Sequence, residues 1–509
     1  MAQGIISGER FLPKPDFEDQ VRRAARGLHE AGLRAGDSVA LLLRNDFPFL
    51  VASHAAMRIG VYAVPINWHF KAEEVGYILA DCAARVLVAH ADLLPPIASA
   101  VPESVTLLVA STPPELAAAY SVPEALRSVP QGLEPWESWL ARHEPWDKPP
   151  APATTSMIYT SGTTGRPKAV RRLPVTPTDE PAFRALRDRV YGFRDGMVAG
   201  MPGPLYHSAP NSFGLRSAGM DATLVLMPRF DAEHLLTLIE THRITHMFMV
   251  PTMFVRLLKL PQETRARYDV SSLEYIIHAA APCPADVKRA MIDWWGPIIH
   301  EFYGGTESGP VTLATSEDAL RKPGSVGRAV EGCAIRIVDD EGRDMPTGSP
   351  GEVYARIRYY PDFTYHNQPD KRAEIDRGGL ITCGDVGYLD ADGFLFLCDR
   401  KRDMVISGGV NIYPAEIEAV LLGLTGVKYC AVFGVPDSEF GESLMAVVEP
   451  QPGVALDVAE IKRHAAAHLA DYKVPRRIEI GHDLPREDSG KIYKRRLRDP
   501  YWERAGRAI

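Results

Sequence analysis

Thr160-Ser161-Gly162-Thr163-Thr164-Gly165-Arg166-Pro167-Lys168 directly follows a partly β-branched run, residues 154–159, that reads as a strand. Two glycines among four hydroxyl residues describe a loop that can turn backbone N–H groups, hydroxyls and one ammonium toward a polyphosphate. Walker A spacing fails, because Pro167 stands where the second glycine belongs. Alone, the stretch reads equally well as a plain surface turn.

Outward from it, helix-period and strand-like segments alternate. Val21, Ala24, Ala25 and Leu28 predict a helix over 17–30, and 38–43 a strand. Further strands are expected at 84–89, 106–110, 222–227, 246–250 and 275–279, with helices over 252–260 and 285–295. Such alternation implies doubly wound parallel sheets, whose ligand crevices open at the carboxyl ends of the strands. After about Pro323 the texture changes to short strands at 334–338 and 351–358, and a hairpin over 388–397 turning at Asp390-Ala391-Asp392-Gly393. From Asp399 it becomes mixed again, with Ile417, Val420 and Leu421 on one face of a helix starting near Pro414. The expected fold is α/β. A large N-terminal domain, 1–399, holds two doubly wound α/β subdomains and a small β-barrel-like layer; a hinge at 400–403 leads to a small mobile α+β C-terminal domain, 404–509.

The 509 residues are 46% hydrophobic, enough to bury several cores, and the net charge of 57 − 65 = −8 gives no field favouring nucleic acid. Six cysteines lack C-x-x-C spacing, so packed, reduced thiols are expected. Residues 1–14 show no secretory pattern, and the apolar window 47–66 is broken by His54, Arg58 and Pro65, which argues against a membrane span. The chain reads as soluble and cytoplasmic.

Three further stretches carry chemistry. Glu301-Phe302-Tyr303-Gly304-Gly305-Thr306-Glu307 follows the strand-like 298–300; it offers Tyr303 to stack a base, glycines for close backbone approach, and Glu307 to hold Mg²⁺. Asp385 of Gly384-Asp385 can accept from two ribose hydroxyls. Asp488-Ser489-Gly490-Lys491 sets one lysine on a turn ahead of a basic tail. Each alone reads sooner as an ordinary turn or solvated face.

Together, in this order, they make the chain resemble the adenylate-forming superfamily: acyl- and aryl-CoA synthetases with their luciferase and peptide-synthetase relatives. The resemblance spans the whole chain and implies ATP, Mg²⁺ and coenzyme A. It assigns Thr160, Ser161, Gly162, Thr163, Thr164, Gly165 and Lys168 to a phosphate loop, and Ala280, Ala281, Pro282, Tyr303 and Gly304 to the adenine pocket. It puts Thr306 on the α-phosphate, Glu307 on the metal, Asp385 and Arg400 on the ribose, and Lys491 between carboxylate and α-phosphate. Ser407, Gly408 and Gly409 would line a pantetheine tunnel after rotation about Arg402, where the family usually has Asp or Lys; Phe440 and Lys473 are weaker CoA contacts. Pro204-Leu205-Tyr206-His207-Ser208 resembles an aromatic motif and holds no carboxylate, which favours a plain organic acid over an amino acid, with His207 as a gate. Asn211, Val250, Ala279, Ala280, Ala281 and Gly304 would wall a pocket for an aryl, medium-to-long acyl or polycyclic acid.

The implied activity is an AMP-forming carboxylic acid:CoA ligase. Alternatives are a stand-alone adenylation enzyme loading a carrier protein and a luciferase-like oxygenase. Its partners would be a small carboxylic acid, ATP and CoA; a homodimer is compatible with all of these. A non-catalytic nucleotide sensor fits poorly, because Lys168, Glu307, Asp385, Arg400 and Lys491 are all present.

Overall fold

The computed structural model describes residues 3–152, 154–160, 167–401, 403–407, 410–437, 440–486 and 492–504. Ser161, Gly162, Thr163, Thr164, Gly165, Arg402, Gly408, Gly409 and Lys491 lie outside the described residues.

The first sheet is parallel and five-stranded, in the order Tyr62–Pro65, Ser38–Leu42, Val86–His90, Thr106–Ala110, Glu134–Pro135. Ser38–Leu42 and Val86–His90 are buried along their whole length, as strands covered by helices on both faces require. Helix Lys14–Glu30 turns Phe17, Val21, Ala24, Ala25 and Leu28 inward. It packs against helix Phe47–Arg58, whose start is capped by the Asp46 side chain at 2.8 Å from the Phe47 N–H.

A second parallel run has the order Ile299–Gly305, Tyr275–His278, His246–Met249, Val198–Met201, Thr223–Leu226, Gly4–Ser7. Thr223–Leu226 pairs on one side of Val198–Met201 and His246–Met249 on the other. The order therefore reverses at Val198–Met201, and residues 202–207 leave its carboxyl end at the crevice such a reversal opens. The β-rich layer expected after Pro323 continues this ladder without a break: Gly309–Ala314, Ser325–Ala329, Phe394–Arg400, Leu380–Leu389, Gly351–Ile357 and Cys333–Val338 extend it antiparallel.

A small sheet joins Ile158–Thr160, Lys168–Arg172 and Phe363–Tyr365. The run expected as a strand over 154–159 is regular only at its end. Earlier residues make single bonds to the first sheet's edge, Thr154 Oγ1 to the Val61 carbonyl at 3.3 Å and Met157 N–H to that of Ala63 at 2.8 Å. Strands Val405–Ser407, Val410–Ile412, Val427–Asp437, Gly441–Pro450 and Arg477–Ile480 form a separate sheet. Helices Pro414–Leu422 and Val458–His468 cover its own core of Val405, Ile417, Leu421, Val432 and Ile461. Among the described residues no helix is long and apolar enough to cross a membrane.

Candidate functional site

A cleft of roughly 3270 Å³ lies at the carboxyl ends of the second parallel run, lined by Lys168, His207, Tyr303, Thr306, Glu307 and Asp385, and by Lys494 from the C-terminal elements. It exceeds the ~1,000 Å³ upper end of single small-molecule sites, and so has room for more than one ligand.

Tyr303 and Asp385 meet in it. The Tyr303 hydroxyl donates to Asp385 Oδ2 at 2.7 Å, and Asp385 sits opposite Arg400 in the ladder between Leu380–Leu389 and Phe394–Arg400. Tyr303 lies inside strand Ile299–Gly305 rather than after it, and a register shift between Tyr303 and Gly304 bends the strand into the cleft. At Gly304 a Cβ would stand 1.8 Å from the Gly309 carbonyl oxygen, so only glycine fits.

Glu307 faces the small sheet. Its Oε1 accepts from the Tyr365 hydroxyl at 3.0 Å, and the Lys168 ammonium lies 5.3 Å from the centre of the Tyr365 ring. Burial holds the Lys168 amine below its ordinary value, helped by the nearby Lys371. Arg172, absent from the sequence reading, closes the arrangement from behind: buried, it donates to the carbonyls of Thr306, Glu307 and Pro361 and stacks 4.4 Å from the Tyr360 ring centre. The site thus gathers one ammonium, one carboxylate and a braced turn.

Ala279, Ala280, Ala281 and Pro282 follow strand Tyr275–His278 and line the same cleft. Ala280 has φ +77°, a region that penalises any side chain, so backbone strain sits in the wall. Two residues that the sequence reading left without a role, Lys288 and Glu301, form a buried ion pair there. Burial pushes the Glu301 carboxyl up while the Lys288 ammonium draws it back, and His278, 3.9 Å from Glu301, is held well below its usual value by burial.

The segment leading to His207 is fixed by Asn45: its Nδ2 donates to the Gly203 carbonyl at 2.8 Å and its Oδ1 accepts from the Leu205 N–H at 2.9 Å. His207 then occupies the N-cap position of helix Ser208–Gly219. Asn211, expected as a pocket wall, instead points back along the chain. It is buried and donates to the Leu205 carbonyl at 2.9 Å, while Ser208, Ala209 and Ser212 line the cleft.

The structure does not bring every expected residue together. Lys473 pairs with both carboxylate oxygens of Glu416 at 2.7 Å; Phe440 carries the Arg476 guanidinium 4.1 Å from its ring centre; neither of them, nor Ser407, lines the cleft. Where the large part meets the C-terminal elements, Asp399 Oδ2 accepts the Ala415 N–H at 2.8 Å, so the strand ahead of the expected hinge caps the helix after it.

Known proteins share this architecture. The profile of the AMP-binding enzyme family matches residues 15–359, and that of the AMP-binding enzyme C-terminal domain residues 416–491. A feruloyl-CoA synthase from Amycolatopsis is 34% identical over 502 residues, 98% of this chain and 95% of its own. A long-chain-fatty-acid–CoA ligase from Mycobacterium tuberculosis is 33% identical over 484 residues, 94% of this chain and 91% of its own. The crystal structure of the anthranilate CoA ligase AuaEII with anthranoyl-AMP superposes with a TM-score of 0.85 at 27% identity, covering 99% of this chain and 95% of that one. The chain belongs to the AMP-binding enzyme family of the adenylate-forming superfamily.

Proposed function

We propose that this AMP-forming acid–CoA ligase activates a hydrophobic acyl or aryl carboxylate as its acyl-adenylate and passes the acyl group to CoA. One observation carries the reading: the Tyr303–Asp385 corner and the Lys168–Glu307 face open onto the same cleft as an apolar wall of Phe248, Val250, Ala279, Phe302 and Pro310. The relatives named for feruloyl, fatty-acyl and anthranoyl substrates support the same class.

Attack of a carboxylate on the α-phosphorus needs alignment and charge neutralisation more than covalent help. Asp385 accepts from ribose hydroxyls, Tyr303 covers the base, and Lys168 neutralises phosphate oxygens from across the cleft. Thr306 meets the α-phosphate, and the resemblance gives Lys491 the bridge between carboxylate and phosphate. Glu307 suits Mg²⁺: a single carboxylate completed by phosphates and water is how that ion is commonly held, and among the described residues no cluster of three or more metal-binding side chains competes. Bound there, the ion would neutralise charge building on the phosphate oxygens. A cytoplasmic location and a homodimer complete the proposal, the latter read by light scattering.

The test is acid-dependent AMP formation over benzoates, cinnamates, fatty acids of several lengths and steroid side-chain acids, with and without CoA. CoA thioester from any of these is the expected result. Pyrophosphate release with no thioester would point to a carrier-protein acceptor and overturn the CoA step.

A further inference from the structure

Lys288 and Glu301 meet inside the protein rather than at its edge: they are 6% and 5% exposed, and their charged ends form an ion pair. His278, fully buried on the neighbouring strand and kept neutral by that burial, lies 3.9 Å from Glu301 and sets its ring edge-on to Phe254, 5.2 Å between centres. Taking two such charges out of water costs about as much as their attraction returns, and apolar side chains of like volume commonly leave a fold as stable or more so. Stability alone therefore does not account for the pair.

What sets it apart is its place in the chain. Strands Tyr275–His278 and Ile299–Gly305 run parallel, and their pairing ends at His278 and Glu301. From there residues 279–284 turn away and enter helix Ala285–Trp295. Lys288 closes the first turn of that helix, its N–H donating to the Pro284 carbonyl at 3.0 Å, while its ammonium holds Glu301. Pro284 at the N-cap offers no side-chain hydrogen bond, so the fixing falls to the ion pair. Both ends of the turn are thereby tied to one strand, and Ala280 within it keeps φ +77°, a conformation that persists only where the surroundings over-determine it. Tyr303 stands two residues beyond Glu301, on the same side of the strand by alternation, and lines the cleft together with residues 279–282. Ala279, Ala280, Ala281 and Pro282 carry no polar side-chain atom. Whatever this turn reads of a base edge it reads with peptide N–H and C=O groups, whose directions follow from the backbone angles.

We propose that Lys288 and Glu301 are positioning residues for nucleotide selection: their ion pair holds the turn 279–282 in register with Tyr303, so that its peptide groups accept the 6-amino group of adenine and turn away a purine with oxygen there. Adenine presents a donor at that position and guanine an acceptor, so a turn that shifts its carbonyls loses the distinction. The inference rests on the ligase reading above, in which Tyr303 covers the base.

The experiment compares ATP with GTP in the full-length enzyme and in the paired variant Lys288→Met/Glu301→Leu, which removes both charges at nearly unchanged volume. The unaltered enzyme should prefer ATP in kcat/KM by on the order of a hundredfold or more. The paired variant should melt no earlier, yet lose about tenfold of that preference, mainly through KM for ATP, while KM for the acid changes less than about threefold. General damage to the fold would slow both nucleotides alike and leave their ratio standing. An unchanged ratio in the paired variant, no preference in the unaltered enzyme, or an acid KM that rises as much as that for ATP would each overturn the proposal. So would a paired variant that melts far earlier, which would make the pair a brace for the fold. Absence of AMP formation by the unaltered enzyme with every acid would instead bring down the ligase reading and this inference with it.

Discussion

Arg172 Nη2 donates to the Glu307 carbonyl oxygen at 2.8 Å, across 135 residues of chain. With a further bond from Nη1 to the Pro361 carbonyl at 2.8 Å, a planar fork ties strand Lys168–Arg172 to the turn carrying Thr306 and Glu307. Arg172→Met leaves those buried carbonyls unpaired, and kcat/KM for ATP should fall about tenfold or more, with a raised Mg²⁺ requirement. Arg172→Lys, lacking the fork, should recover only part. Initial rates against ATP and Mg²⁺ decide it; a variant that merely melts earlier with unchanged kinetics would reduce Arg172 to a structural brace.

The Tyr303–Asp385 bond sets up a second expectation. Removing the hydroxyl in Tyr303→Phe should raise KM for ATP by about tenfold or more, the scale of one hydrogen bond to a charged group. Asp385→Asn should also erode discrimination between ATP and its 2′,3′-dideoxy analogue. Competition between the two nucleotides measures it, and full retention of discrimination would remove Asp385 from the ribose.

Ala280 is held at φ +77°. Ala280→Gly removes a penalty of about 1–2 kcal/mol for a left-handed alanine against an entropic cost of about 0.5–1 kcal/mol, so melting should hold or rise slightly. Ala280→Val should lower both the melting temperature and ATP affinity. Calorimetry with and without ATP separates the two effects, and a clear loss in Ala280→Gly would mean that the strain is not where the backbone places it.

Buried histidines make the fold sensitive to mild acid. Burial lowers His54, His246 and His300 to about 4. The unfolded chain takes up these protons near the ordinary value of about 6.5 and the folded chain only near 4, so stability falls as pH drops from 6.5 toward 4. Melting temperature should decline across that window before most carboxylates titrate, and His246→Gln should flatten the decline. A melting temperature constant down to pH 4.5 would contradict this.

Local grammar made much of this legible. Helix Ala285–Trp295 starts and stops where the sequence places it, because Pro284 precedes it and Gly296 follows. Thr106–Ala110 likewise matches to the residue. What stayed hidden is bonded at long range. Arg172 reads as one basic residue after Lys168 until residues 306 and 307 fold beside it. Lys288 and Glu301 look like surface charges until helix and strand pack them together, and Asn211 looks like a wall until its amide finds Leu205. Hydrophobic periodicity says which face is inward, not which carbonyl a side chain meets.

Gly304 carries one more implication. With the Gly309 carbonyl 1.8 Å from where a Cβ would stand, that face of the cavity is closed to variation. Mutant libraries randomised at 304 would return broken backbones rather than altered substrate range. Retuning this scaffold for bulkier or slimmer acids has to proceed through other wall positions, such as Val250 and Ala279, which already carry a Cβ.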